Sequence, residues 1–391
     1  MAVDIFDPRI MTQMIEAGQN TKHTWLRDRY FTNRPTFTAK KIDFDVVGRG
    51  GRRIAPFVSP LNGGKVIDRD GYSTLSYEPP MVAPQRVTTA EDVMKRLPGE
   101  NPYSGKSPTM RAAEILGRDL AELDEYIARR EEAMCSEALF SGKITVTGDG
   151  VNEVINFWST VPASEKPETT LTTKWDASTA TAETVMSDLR VVRRSMIKDG
   201  GFTPRDLICG TNVIDTILSK FTGANSLDMR RVDMGHIDPQ HLPDGVTYWG
   251  YLKDSALDIY SYDEWYKGAS GDVAMVPADK CLLATPGAKT MLAYGACPVI
   301  KETDPQIIFV EGSRVPMSWI QRSNPMGRVV QISSLRYPSS SRFMLSTSST
   351  PPDPNPMLKK RGSGPFFIGA NNGNCFHQKH GFRTRYLQSR R

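Results

Sequence analysis

The stretch from Ser107 to Gly142 limits the fold more than any other part of this 391-residue chain. Ser107 followed by Pro108 offers an N-cap oxygen and a proline at the first helical position, where its missing N–H costs nothing. Met110, Ala113, Leu116, Leu120, Leu123, Ile127, Met134 and Ala138 then recur mostly at three- and four-residue steps, which places them on one helical face. Glu114–Arg118 and Glu125–Arg129 add one-turn ion pairs on the other side, and Gly142 is the stop. The pattern predicts one helix of about 33 residues, roughly 50 Å long at ~1.5 Å per residue. That exceeds an ordinary globular helix. Leu116, Leu120, Leu123 and Ile127 are its expected core face, and the carboxylates Glu131–Glu132 are expected on its solvated side.

The flanking sequence is organised differently. Residues 1 to about 50 have mixed polarity, with a short helix expected around Pro8–Ala17 and an aromatic stretch from Trp25 to Phe31, and read as an extended arm. Arg53 to Thr88 is rich in Val, Ile, Tyr and Thr but broken by Pro56, Pro60, Pro79 and Pro80. Around the turn signal Asp70–Gly71 it predicts a long hairpin rather than a packed sheet. Beyond the long helix, Lys143–Thr147 and Val151–Phe157 flank Gly148–Asp149–Gly150 and predict a second hairpin. Glu183–Lys198 is an amphipathic helix stopped by Gly200–Gly201, and Asp206–Cys209 is a short buried strand leading into a helix capped by Thr211. Strands are expected at Ala256–Tyr260, Val273–Val276 and Cys281–Ala284. Strand and helix without regular alternation indicate an α+β fold, not a doubly wound sheet.

Taken in order, the arm, long hairpin, very long helix, second hairpin and α+β segment resemble the Hong Kong 97 (HK97-like) capsid fold. The stretch Pro56–Pro102 narrows this further. Its VSP, GKVI, ST, YEP, VAPQRV and RLPGENP landmarks resemble those of the lambda-like major capsid protein family of tailed bacteriophages (phage capsid protein E family). Ser141–Gly148 and Leu283–Cys297 resemble later segments of the same family, and the likeness runs from about Ala2 to Ser333.

The resemblance implies a domain plan: an N-terminal arm (1–50), an extended loop reaching a neighbouring subunit (51–100), and a peripheral domain (101–174) carrying the spine helix 107–141. An axial domain (175–299) and a return to the peripheral domain (300–336) follow, and residues 337–391 form a tail the family lacks. It also implies a virion subunit assembled in the host bacterial cytoplasm into homopentamers and homohexamers of an icosahedral shell around double-stranded DNA. Scaffolding protein, portal and a decoration protein would be its partners, and the family offers no catalytic residue or cofactor to carry over. Charges near the loop's end, Arg69, Asp70 and Arg86, are the expected inter-subunit contacts.

Composition narrows the alternatives. No run approaches the ~18 apolar residues of a membrane span, and MAVDIFDPRI lacks a basic region followed by an apolar one, so neither insertion nor secretion is expected. Cys135, Cys209, Cys281, Cys297 and Cys375 are odd in number without a CxxC pair, and read as reduced thiols rather than a disulfide framework or a zinc site. The formal charge of +5 is uneven: from Tyr337 onward nine Lys/Arg face one acid, Asp353, leaving the preceding residues slightly acidic. Lys359, Lys360 and Arg361 in that tail can neutralise DNA phosphates. The rival reading is therefore a cytosolic nucleic-acid-binding protein acting through the tail, set against a Ser/Pro/Asn/Gly-rich extension unable to bury a core.

Other motifs are weaker. Gly99–Ser107 (GENPYSGKS) has five residues between its glycines where a phosphate-binding loop has four, and reads as a capped helix start. Gly48–Arg53 (GRGGRR) is one copy of an arginine–glycine motif and reads as a bend. His236 and His241 are five apart around Pro239, which suits a loop better than a helical zinc pair. There is no GxSxG or HExxH motif.

Overall fold

A computed structural model describes residues 6, 8–17, 24–39, 41–47, 54–59, 63–67, 72–97, 100, 103, 106–157, 168–171, 173–200, 202–223, 235–268, 271–287, 290–300, 307–339 and 345–348. Arg69, Asp70, the GRGGRR motif, most of GENPYSGKS and the tail residues Lys359, Lys360 and Arg361 lie outside them.

The long helix spans Pro108–Ser141. The Ser107 hydroxyl accepts the Met110 N–H at 3.3 Å, and Gly142 closes the helix in the left-handed conformation that glycine adopts without a Cβ clash (φ 61°). Leu116, Leu120, Leu123 and Ile127 are buried against Met11 and Ile15 of the helix Pro8–Ala17 and against Val330 and Ile332. Met110 is mainly exposed and Ala113 only half-buried, so the first turn adds little to that core. From Glu131 to Phe140 most positions are buried, because this half also enters a second core.

Val330 and Ile332 belong to Gly327–Ser339, the central strand of the sheet beside the long helix. It pairs antiparallel with Gln85–Thr89 and Met81–Val82, and with Val315–Gln321 and Met291–Gly295. Two expectations change here. Tyr72–Tyr77 does not pair around Asp70–Gly71; its partner is Ile42–Val47, with Ile42 opposite Tyr77, while residues 54–59 and 63–67 lie outside any strand. The prolines do exclude a ladder from the first limb, but a longer-range partner was available to the second. Nor does the change of composition at Tyr337 mark a structural boundary. The strand runs on to Ser339, and the Tyr337 ring is buried and stacked on Tyr77 at 5.0 Å between centroids. Leu345–Ser348 then pairs with Lys280–Ala284, so strand structure continues where the family resemblance ends.

The second sheet has Asp206–Cys209 near its centre, parallel to Leu257–Tyr262 on one side and antiparallel to Lys280–Ala284 on the other. Val246–Leu252 and Gly235–His241 extend one edge, and Leu345–Ser348 and Glu168–Thr170 the other. His236 and His241 thus lie in a strand, not the expected loop, and His241 Nδ1 is 3.1 Å from the Thr247 hydroxyl. One face of the sheet carries Leu207, Cys209, Ile259, Cys281 and Leu283 and packs on Ala182–Ser195 and Thr211–Gly223. Ile208, Leu282 and Ala284 on the other face meet Ala133, Leu139 and Phe140 of the long helix. Gly210 joins strand to helix where a Cβ would stand 2.2 Å from the Pro277 carbonyl oxygen, so no larger residue fits. The second hairpin forms in the expected register, Lys143 opposite Asn156 and Gly148 opposite Val151.

Candidate assembly interface

The long helix is clamped to the rest of the fold by buried charged groups, and the clamp begins in the segment expected to be an extended arm. Residues 25–30 are not extended: Trp25–Tyr30 is a six-residue helix with Leu26 and Tyr30 buried between the two sheets. Its backbone N–H groups at Leu26 and Arg27 donate to Glu132 Oε1 and Oε2 at 2.8 and 3.0 Å. Unpaired N–H groups and a positive dipole end make a helix start a natural partner for a carboxylate.

Glu131, the neighbouring residue, is fully buried. Its Oε2 accepts from Arg27 Nη1 at 2.7 Å and Arg314 Nη2 at 2.9 Å. Its Oε1 accepts from Arg314 Nη1 at 2.7 Å, Arg336 Nη1 at 3.0 Å and the Tyr294 hydroxyl at 3.1 Å. Arg314 also reaches Asp124 at 2.5 Å, and Arg336 donates to the Ile127 carbonyl at 2.9 Å. Burial by itself raises a carboxyl; the charges of Arg336, Arg314 and Arg27 override it and hold Glu131 well below its usual range. Glu132 goes the other way: burial pushes it up to about 7 despite the two backbone N–H donors. Burial also draws the Arg336 guanidinium down to about 10, with Glu131 opposing.

The expectation that Glu131–Glu132 form a solvated face is therefore wrong. The signal was in the spacing: Glu131 stands four residues after Ile127 and three before Met134, on the same 3–4 phase as the apolar positions. Its partners Arg27, Arg314 and Arg336 carry no local mark in the sequence.

On the other side of the Trp25–Tyr30 helix, Arg29 grips Asp206 with Nε and Nη2 at 2.8 and 3.0 Å, and the Tyr30 hydroxyl donates to the same carboxylate at 2.7 Å. The Arg29 guanidinium lies 4.9 Å from the Tyr260 ring centre. One helical segment thereby ties the long helix to the second sheet.

Among the described residues, apolar groups reach the surface at several places, and two of them flank the elements described above. Residues 54–59 and 63–67 expose Ile54, Phe57 and Val66 almost completely. Elsewhere an open cavity of about 390 Å³ lies between the long helix and the first sheet, lined by Phe6, Val93, Ala112, Leu116, Ile320 and Met326. Both are large apolar exposures of the kind that marks protein contact. Of the expected contact residues, Arg86 is engaged within its own chain, with Nη1 2.8 Å from Asp119 and Nη2 on Glu122 of the long helix. Leu116, which belongs to the expected core face, also reaches the cavity wall. No helix among the described residues is long and apolar enough to cross a membrane.

Comparison with known proteins bears on the whole of this framework. The family model for phage major capsid protein E matches residues 7–334. The major capsid protein of Escherichia phage lambda is 25% identical over 316 residues, covering 78% of this chain and 87% of the relative. That of Escherichia phage N15 is 24% identical over 323 residues with the same coverage. A crystal structure of a candidate prophage capsid protein from Escherichia coli CFT073 superposes with a TM-score of 0.60 at 17% identity, covering 88% of this chain and 98% of that one, which establishes the fold. The long helix and its two flanking sheets are accordingly those of an HK97-like α+β capsid fold, and the chain belongs to the phage major capsid protein E family.

Proposed function

We propose that this major capsid protein builds the head of a tailed double-stranded DNA phage by closing into homopentamers and homohexamers of an icosahedral shell. The observation that carries the reading is the family match across residues 7–334, on a chain whose loop leaves Ile54, Phe57 and Val66 without a covering surface. Apolar side chains left this exposed mark a protein contact, and a second copy is the proposed cover. Contact between copies through the 52–88 loop then rests on its apolar residues and on Arg69 and Asp70, since Arg86 is spent on its own spine helix.

The proposed work is binding and conformational change, in keeping with a match to a structural capsid family; Glu131 is a buried structural carboxylate held by Arg27, Arg314 and Arg336. Scaffolding protein, portal, a decoration protein and non-specific packaged DNA complete the proposed partners, with assembly in the host cytoplasm. The rival nucleic-acid-binding reading has only the tail residues Lys359, Lys360 and Arg361 behind it and gains no support from the family match.

Co-expression with its scaffold, followed by negative-stain microscopy, tests the proposal, and closed shells are the expected product. A protein that stays monomeric there while hydrolysing nucleotide would sink it. Reversing Arg69 and Asp70 together, and separately introducing Phe57→Asp, should lower shell yield while leaving subunit unfolding nearly unchanged, since the proposed contacts are made between copies and Phe57 is fully exposed in the single chain.

A further inference from the structure

Cys209 and Cys281 stand directly opposite one another in the second sheet, on the antiparallel strands Asp206–Cys209 and Lys280–Ala284. The parity of the ladder sets how close they come. Gly210 donates its N–H to the Lys280 carbonyl at 2.9 Å, so the residues next to the cysteines are the hydrogen-bonded pair. Cys209 and Cys281 are then a non-hydrogen-bonded pair, in which Cα atoms approach to about 4.5 Å and side chains lie closest. A disulfide requires Cα atoms roughly 4.4–6.8 Å apart. Both side chains also point the same way: Leu207, Cys209, Cys281 and Leu283 share one core, whereas Ile208 and Leu282 between them share the other. The two sulfurs are not bonded here, and both residues are buried.

We propose that Cys209 and Cys281 are a latent cross-strand disulfide, a staple of the second sheet that closes when the protein passes from a reducing to an oxidising medium. A shell made in a bacterial cytoplasm and released by lysis makes that passage. This setting rests on the capsid reading; the pairing rests only on the ladder. The oxidant required is a small-molecule disulfide. One cysteine, as thiolate, attacks it, breaking its S–S bond, forming a mixed disulfide and releasing one small thiol. The second cysteine, losing its proton, then attacks the mixed disulfide, forming the Cys209–Cys281 bond and releasing the second small thiol. The two cysteines are oxidised by two electrons and the external disulfide is reduced by two. Because the thiols are buried, and burial pushes Cys209 up, reaction proceeds through transient opening of the sheet and is slow at low temperature. Cys135 and Cys297 sit in two other cores and provide internal controls.

The full-length chain, purified anaerobically and incubated with oxidised glutathione somewhat below its melting temperature, tests this without requiring shells, so a failure of assembly is a separate result. After alkylation, non-reducing peptide mass spectrometry is expected to find Cys209 joined to Cys281, with the link lost on reduction. The bridge encloses residues 210–280 and should raise the unfolding temperature by roughly 5 °C or more. Cys209→Ala and Cys281→Ala should show no oxidant-dependent rise. Two thiols that remain alkylatable, that carry only glutathione, or that join without raising the melting temperature would each overturn the proposal. The wild-type measurement stands even if a variant fails to fold.

Discussion

Replacing Glu131 with Gln keeps the shape of the side chain and removes the charge that three guanidinium groups share. The three are not equally dependent on it. Arg27 retains Asp28 at 3.0 Å, and Arg314 retains Asp124 at 2.5 Å. Arg336 is wholly buried, makes one further hydrogen bond, to Ile127, and has no hydrogen-bond partner for Nε and Nη2. It becomes the orphan. Leaving one buried charge uncompensated costs roughly 3–5 kcal/mol, against total stabilities of roughly 5–15 kcal/mol. Glu131→Gln is therefore expected to lower subunit stability by about 3–5 kcal/mol in denaturant unfolding of unassembled protein. The asymmetry predicts a partial rescue. Arg336→Met removes the orphan, leaves Arg27 and Arg314 on their second carboxylates, and in the Glu131→Gln background should recover at least ~2 kcal/mol. A Glu131→Gln loss below ~1 kcal/mol, or two losses that simply add, would show that the cluster is not a coupled clamp.

Glu132, raised to about 7 from an ordinary glutamate value of 4.5, binds its proton more tightly folded than unfolded. Its contribution is thus complete below about pH 4.5 and lost as the pH rises through about 7, a decline of no more than ~3 kcal/mol that Glu132→Gln should flatten in unfolding titrations from pH 5 to 8. Leu120→Asp places a charge where the side chain is 1% exposed and should cost several kcal/mol, read as loss of folded subunit; unchanged shell yield would mean the helix face is misassigned. Arg29→Met leaves the buried Asp206 with the Tyr30 hydroxyl alone of its clamp and should cost about 2–3 kcal/mol. Hydrogen exchange should then quicken in Asp206–Cys209 before the middle of the long helix, and uniform acceleration would contradict a local tie.

By itself the sequence determined those parts whose signals lie within a turn or two of the chain. Ser107–Pro108 and Gly142 bound the long helix because capping satisfies end groups from adjacent residues. Asp149–Gly150 sets the Lys143–Asn156 hairpin, and the run Asp206–Cys209 is apolar enough to be a central strand wherever it lands. The landmarks of Pro56–Pro102 pointed to the family, and the family match agrees. Tertiary structure decided which strands pair. Ile42–Val47 rather than the proline-broken limb takes Tyr72–Tyr77, and Gly327–Ser339 gathers partners from residues 81–89, 291–295 and 315–321. It also decided the sign of Glu131. The 3–4 phase that buries Leu120 and Ile127 buries this carboxylate too, which is tolerable only because Arg27, Arg314 and Arg336 converge on it from distant parts of the chain. Helix phase and turn chemistry depend on neighbours along the backbone and can be read from spacing. The pairing of a strand or a buried charge depends on groups that meet only once the chain has closed, and no local pattern records them.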